Sequence, residues 1–253
     1  MSNVSEIVYS KEGAVASIRF NRPEKKNAIT VAMYQALVDG LNDAANDAAI
    51  RAAGIFGSDG AFTAGNDLGD FLAAGALGGD VESFPVVKLI RALVAFPKPL
   101  IAGVKGVAIG IGTTTLMHCD AVVAGNSARF AMPFTKLGLV PENASSVLFP
   151  LIAGRSRASW YLLSGEQFGA AEAKEMGLVT RVVEDADVDG AVAQMCGQLA
   201  ELPPNALATS KRLLKAPFAP LVDRAIQEEI TAFFAALTTD EARAAFMKFM
   251  QRG

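Results

Sequence analysis

Cysteine and histidine are nearly missing from this sequence of 253 residues, which has two of the first and one of the second. Cys119 and Cys196 lie far apart, and Cys119 sits in an apolar run. No disulfide framework or CxxC metal site is supported, no metal is expected, and a reducing compartment fits best. A Ser-His-Asp triad would have to use His118, which stands between Met117 and Cys119 on a buried helix and reads better as a satisfied core residue. Positive charge is not in excess either. The formal net charge of −3 gives no general attraction to nucleic acid or an anionic membrane surface, although a local basic patch can still hold a small phosphate-bearing ligand. No stretch approaches the run of about 20 apolar residues that spans a bilayer. The opening MSNVSEIVYSKEG has acidic residues and no apolar core of signal-peptide length, so a soluble, cytoplasmic protein is expected.

Apolar residues are plentiful at 51%, enough for a large core in one catalytic domain with an appended segment. The stretch that organises the chain is Lys105–Cys119, KGVAIGIGTTTLMHC, where Gly106, Gly110 and Gly112 interrupt an apolar run that leads from a strand into a helix. Glycine permits close approach and unusual dihedrals, and the first turn of a helix has N–H groups without internal partners. Such a junction can hold developing negative charge, with Ile111 as the donor, or it is simply a tight turn whose glycines allow packing. A second junction at Ala61–Leu68, AFTAGNDL, offers the N–H of Asn66 in the same way. Two such junctions suggest an oxyanion hole. The glycine run lacks the GxGxxG order and GK[ST] ending of a nucleotide site.

Alternation of β-branched and aromatic residues predicts a hairpin from Ile7–Ser10 and Ala14–Phe20 around a Lys11-Glu12-Gly13 turn. Thr30 can cap a helix whose Met33, Tyr34, Leu37, Val38 and Leu41 recur at helical spacing. A strand at Ala52–Phe56, the first donor loop and a helix at Asp67–Ala74 follow. Gly75–Gly79 then reads as mobile, and a helix from Phe84 stops at Pro97-Lys98-Pro99. Leu100–Val104, Thr113–Cys119 and Ala121–Ala124 repeat the strand, helix, strand order, and another helix is expected at Asn143–Ile152. Short strands alternating with helices imply an α/β fold with parallel crossovers. After Phe218 the alternation gives way to helices at Leu221–Leu237 and Asp240–Met250. Their Phe233, Phe234, Phe246 and Phe249 fall on more than one face, which suggests subunit contacts.

With these residues laid out, the chain resembles the crotonase (enoyl-CoA hydratase/isomerase) superfamily over nearly its whole length. Four motifs in family order carry the likeness: NRPEKKNA at Asn21–Ala28, SDGAFTAGNDL at Ser58–Leu68, KPLIAGVKGVAIGIG at Lys98–Gly112, and Phe130–Val183 with MPFTKLGLVPE and AKEMGLV. The resemblance implies a spiral of ββα repeats over residues 1–200 and a C-terminal α-helical trimerisation module over 201–253. It also implies a homotrimer or a dimer of trimers. The family's oxyanion donors align with Asn66 and Ile111, both already singled out from the residues themselves.

The two glutamates of the family's hydratases, one after the glycine run and one after a proline further on, fall here on Thr114 and Phe134. Neither is a useful general base near neutral pH, so the usual paired-carboxylate hydration loses both its parts. The sequence is closer to the peroxisomal-type 3,2-enoyl-CoA isomerase branch, which keeps one glutamate after the LG turn, here Glu142. The resemblance thus implies conversion of 3-enoyl-CoA to trans-2-enoyl-CoA in fatty-acid degradation, with Glu142 as the proton shuttle and Thr114 and Phe134 shaping the acyl pocket. An enoyl-CoA hydratase of unusual active site and a non-catalytic acyl-CoA-binding protein are the alternatives. Coenzyme A arrives as part of the substrate and no further cofactor is implied. Its phosphates would meet Lys25 and Lys26, its adenine the backbone at Ala64 and Leu68, and a C-terminal helix would add Lys248 and Phe249. Solvated loop lysines and an interface phenylalanine explain those residues equally well. For Glu142, a helix N-terminus would favour the ionised form and an apolar pocket the neutral one. Asp67 and Asp70 are further carboxylates near the first donor loop, explained as well by a solvated helix start.

Overall fold

Through the middle of the chain, successive strands are dealt alternately to two sheets. The structure is a computed structural model that describes residues 5–58, 60–67, 69–70 and 80–250, the last two without their side chains. Strands β1 (Ile7–Glu12), β2 (Val15–Phe20), β3 (Ala52–Phe56), β5 (Leu100–Val104), β7 (Ala121–Gly125) and β10 (Arg181–Val183) form a sheet in the order β1-β2-β3-β5-β7-β10. It is parallel throughout except for the β1–β2 hairpin. Strands β4 (Ala61–Thr63), β6 (Val107–Ile109), β8 (Arg129–Ala131) and β9 (Phe168–Gly169) form the second sheet in that order. The pairs β3/β4, β5/β6 and β7/β8 each place one strand in either sheet, and the β6 and β8 members lead toward helices. This is the spiral of ββα turns expected from the sequence.

The continuous apolar runs of β3 and β5 follow from this placement, since a parallel sheet is covered on both faces. On one side helix α1 (Val31–Asn46) and helix α2 (Pro85–Ala95) pack over the sheet in the main core. On the other, Val188, Val192 and Cys196 of a later helix, Val188–Ala200, meet Ala52, Phe56, Ile101 and Val123. Thr30 caps α1 as its sequence predicts, its hydroxyl oxygen accepting the N–H of Met33 at 3.2 Å.

Several expected boundaries shift for local reasons. The hairpin turns at Gly13-Ala14, because Lys11 and Glu12 are paired with Ala16 and Val15. The helix after the glycine run, α3, is Ile111–Leu116 and begins at Ile111 rather than Thr113, since Gly110 itself makes the turn. The helix after Glu142, α4, is Ser145–Ala153, because Asn143 and Ala144 take left-handed conformations with φ of 60° and 57°. Most of the expected Asp67–Ala74 helix and all of the Gly75–Gly79 stretch lie outside the described residues. At the C-terminal end, α8 (Pro204–Lys215), α9 (Ala219–Leu237) and α10 (Asp240–Met250) follow in turn. Phe233 and Phe246 are buried in the same core as the sheets, and Phe234 packs on Phe84 with ring centroids 5.0 Å apart. Phe233 and Phe246 are therefore covered within the chain rather than exposed as their spacing suggested, and Phe234 is half-buried.

The join between the sheets and α3 is close. A Cβ at Gly112 would lie 2.5 Å from Cγ2 of Thr63 on β4. Thr63 cannot rotate away cheaply, because its hydroxyl donates to the carbonyl of Asn27 at 2.6 Å and accepts the N–H of Gly65 at 3.0 Å. Glycine to alanine inside a helix ordinarily adds about 1 kcal/mol of stability. Here the sign reverses, and Gly112→Ala is expected to cost about 1–3 kcal/mol in urea unfolding. Adding Thr63→Ser removes Cγ2 and keeps the hydroxyl, so the double variant should be more stable than the sum of the singles; strict additivity would show the contact to be harmless.

Candidate active site

The first donor loop is held from below by Asn27, a fully buried residue that sequence reasoning passed over as part of a polar loop. Its carboxamide donates to the carbonyls of Ala61 (2.8 Å) and Phe62 (3.1 Å) and accepts from the N–H of Arg22 and the hydroxyl of Ser58. The loop then makes a parallel bridge between Asn66 and Ile29. In that bridge the Ile29 N–H donates to Gly65 at 2.8 Å and the Asp67 N–H to Ile29 at 2.9 Å. This pattern turns the Asn66 N–H to the opposite side, where it meets no acceptor among the described residues. The Asn66 side chain is fixed as well, its Oδ1 accepting the phenol of Tyr34 at 2.5 Å.

The second donor loop follows the same logic. Gly110 has φ 57° and ψ −120°, a conformation that only glycine takes without strain. Its N–H donates to Ala131 at 2.8 Å, and its carbonyl accepts from Thr113 and Thr114. The next N–H, that of Ile111, has no acceptor among the described residues.

Asn66 and Ile111 border one small cavity with Glu142. The remaining walls are Val86, Val87 and Ile90 of α2 and Ile230, Phe233 and Phe234 of α9. Its volume is about 30 Å³, room for little more than one water molecule. An acyl chain can enter only if those apolar side chains give way. A larger hollow of about 870 Å³ lies between Val94–Pro97, Met117–Asp120 and the Lys211–Val222 region, and it holds none of Asn66, Ile111 and Glu142.

Glu142 is 7% exposed, and its Oε1 accepts the Thr114 hydroxyl at 2.6 Å. Burial pushes its carboxyl up to about 8; the Thr114 hydrogen bond opposes this and the nearby Glu229 carboxyl adds to it. The competition foreseen between helix terminus and apolar pocket is thus decided by the pocket, because α4 starts three residues beyond Glu142. The first-turn N–H groups go to Glu229 instead: Ala144 donates to its Oε2 at 2.6 Å and Ser146 to its Oε1 at 2.9 Å. Glu229 was missed in the sequence, where the only signal is an acid inside an apolar helical stretch, AIQEEITAFF. Tyr34 was read as a core residue alone. Its phenol is held well above its ordinary value by burial and by Glu142.

The other candidates fall in different places. Thr114 is fully buried and does not border the cavity; its hydroxyl is bound to Glu142, a closer tie to the carboxylate than shaping a pocket. Phe134 is buried behind Gly110, its ring 3.9 Å from where a Cβ there would be, and does not border the cavity either. Lys25 and Lys26 are exposed on the turn beside the first donor loop, and the Lys26 carbonyl takes the N–H of Ala64 at 2.9 Å. That N–H is therefore not free for a ligand. Lys248 is exposed on α10, away from the cavity walls. Leu68 and the Phe249 side chain lie outside the described residues. Asp67 is paired with Arg22 at 2.9 Å, which holds its carboxyl below the usual range, and Asp70 accepts the Val31 N–H at 2.5 Å, so both tie elements together. His118 is buried and kept neutral, its value lowered to about 4 chiefly by burial, and its Nε2–H donates to the Asn143 carbonyl at 2.9 Å. Among the described residues no group of three or more His, Cys, Asp or Glu could hold a metal ion, and no helix is long and apolar enough to cross a membrane.

A two-sheet spiral that brings Asn66, Ile111 and buried Glu142 to the border of a single cavity defines a crotonase fold. The chain belongs to the enoyl-CoA hydratase/isomerase family, whose profile matches residues 10–253. It is similar to enoyl-CoA delta isomerase 2 of Rattus norvegicus, 36% identical over 97% of this chain and 63% of that protein, so it spans just under two thirds of that relative's length. It is also similar to 2,3-dehydroadipyl-CoA hydratase of Escherichia coli (strain K12), 32% identical over 98% of this chain and 97% of the other. Among solved structures, an enoyl-CoA hydratase/isomerase from Pseudoalteromonas atlantica T6c superposes with a TM-score of 0.92 at 37% identity, covering 98% of each chain.

The Thr114 bond can be read directly. In a carbon-13 titration of labelled glutamate side chains, assigned with Glu142→Gln, Thr114→Val should move the Glu142 midpoint upward because the ionised form loses its donor. Thr114→Ser should restore it. An unmoved midpoint in Thr114→Val would mean that the hydroxyl does not bind the carboxylate.

Proposed function

We propose that this protein isomerises 3-enoyl-CoA to trans-2-enoyl-CoA, with Glu142 as the sole proton shuttle. The observation that carries the reading is that, among the described residues, Glu142 is the one carboxyl on a cavity bordered by Asn66 and Ile111, whose backbone N–H groups have no acceptor there. Ionised Glu142 removes a proton from C2 of the thioester, and the electron pair delocalises to the thioester oxygen. The N–H groups of Asn66 and Ile111 hold that oxygen as it gains charge. The newly formed carboxylic acid then gives its proton to C4, and the double bond comes to rest between C2 and C3. Bonds and charge balance without water or cofactor.

A base that must abstract a proton next to a thioester works best when its own proton affinity is high, and burial raises that of Glu142. Hydration would need a second group to handle water. Thr114 has its hydroxyl on Glu142 and Phe134 has no ionisable group, so the geometry favours isomerisation. The similarity to an enoyl-CoA delta isomerase supports this, and the similarity to a dehydroadipyl-CoA hydratase keeps hydration as the second reading. Lys25 and Lys26 are proposed to meet the phosphates of coenzyme A, with the backbone near Ala64 and Leu68 at the adenine and Lys248 and Phe249 as further contacts. A homotrimer or dimer of trimers acting in fatty-acid degradation is part of the same proposal.

Assays of 2- and 3-enoyl-CoA thioesters for both isomerisation and hydration test the reading. Glu142→Gln should keep ligand affinity, being almost isosteric, and lose at least about 10²-fold in isomerisation rate. Parental turnover in that variant rules out Glu142 as the shuttle, hydration without isomerisation favours the second reading, and tight binding without turnover favours a binding protein.

The sign of the pH dependence is also fixed. The base must be ionised and its carboxyl is pushed up to about 8, so kcat/KM for isomerisation should rise with pH and level off only above about 8. A plateau already reached near pH 5 would contradict a buried base.

A further inference from the structure

The segment that carries Glu142 is not held by the helix it precedes. At the start of α4 the N-cap position is Ala144, which has no side chain to cap with, in a left-handed conformation. Two N–H groups flanking the helix start, those of Ala144 and Ser146, would be left without partners in a buried place. Glu229 supplies both acceptors from α9, one oxygen to each. The residue between them in sequence space and the site is fixed on its other side by His118, whose Nε2–H donates to the Asn143 carbonyl. Glu142 is therefore followed by a main chain clamped from α9 and from α3's end, while Thr114 holds its side chain.

Glu229 is 6% exposed on the same face of α9 as Ile230 and Phe233, which wall the Glu142 cavity. One helix thus closes the cavity and grips the segment that bears the base. We propose that Glu229 is a positioning residue for the isomerase site, clamping the Ala144 and Ser146 N–H groups so that the Glu142 carboxyl is presented to the cavity only when α9 is seated. This rests on the reading of Glu142 as the base.

A second consequence concerns charge. The groups that act on Glu142 among the described residues are the Thr114 hydroxyl from α3, the Tyr34 phenol from α1 and the Glu229 carboxyl from α9, while neutral His118 holds the Asn143 carbonyl beside it. Of these, only Glu229 can place a like charge near it. Burial pushes the Glu229 carboxyl up as well, and its bonds to Ser146 and Ala144 pull it back toward the ionised form.

Two variants separate reach from charge. Glu229→Gln keeps the shape but removes the charge and one acceptor. It should lower kcat about tenfold to a hundredfold with little change in KM, and should shift the Glu142 midpoint downward in a carbon-13 titration without substrate. Glu229→Asp keeps the charge but is too short to hold both N–H groups; kcat should fall while the Glu142 midpoint stays near the parent's. Backbone amide shifts of Ala144 and Ser146 need no turnover either, so their displacement in Glu229→Asp supports the clamp, and unmoved shifts overturn it, even if Glu142→Gln proves as active as the parent and the isomerase reading fails. A folded Glu229→Gln protein with parental kcat and an unmoved Glu142 midpoint overturns the proposal. If Glu229→Gln does not fold, parental kcat in Glu229→Asp overturns it instead.

Discussion

Everything at the site depends on keeping one carboxyl out of water. Glu142 is enclosed by apolar residues of α2 and α9 and, among the described residues, receives one side-chain hydrogen bond, from Thr114. An ionised carboxylate with a single donor is poorly compensated, so its proton affinity rises until the neutral form is the stable one near pH 7. A surface glutamate would be a weak base for a carbon acid. The same burial leaves the cavity room for little more than one water molecule, and the proposed choice of isomerisation over hydration rests on that enclosure.

The fold supplies the opposing half of the site as a by-product of its repeats. Each turn of the spiral passes from the large sheet to the small one and then toward a helix. The chain makes a sharp bend at each such exit. Among the described residues, the bend at Gly110 leaves the Ile111 N–H without an acceptor, and the bridge from Gly65 and Asp67 to Ile29 leaves that of Asn66 without one. These N–H groups are main-chain atoms held by sheet pairing, so in the proposed reaction they would need no reorganisation as charge develops on a thioester oxygen. Tyr34 and Asn27 stiffen the first bend, and close packing of Gly112 on Thr63 stiffens the second.

Much of this could be read from residues in order. The glycine run, the Ala-Gly step before Asn66, the Thr30 cap and the strand-helix alternation each have a local physical signature. All of them are where the sequence puts them. What was not legible depends on contacts between distant segments. Glu142 looked like the first-turn acid of a helix because Asn143 and Ala144 are ordinary helical residues by composition; only the fold, through Glu229 and His118, holds them left-handed. Thr114 looked like a lost base, but across 28 residues of chain it became the donor that steadies the remaining one. Phe233, Phe234 and Phe246 looked like spare surface because the residues they pack on, such as Phe84 on α2's approach against Phe234, lie far back in the chain.

The central claim is that one enclosed carboxyl carries a proton from C2 to C4. It is tested most directly by following the hydrogen itself. With 3-enoyl-CoA deuterated at C2, a single turnover in ordinary water should deliver part of the deuterium to C4 of the 2-enoyl product, because the same buried group takes and returns it. Product with only solvent hydrogen at C4 would contradict the account and would require a second proton donor that exchanges with water.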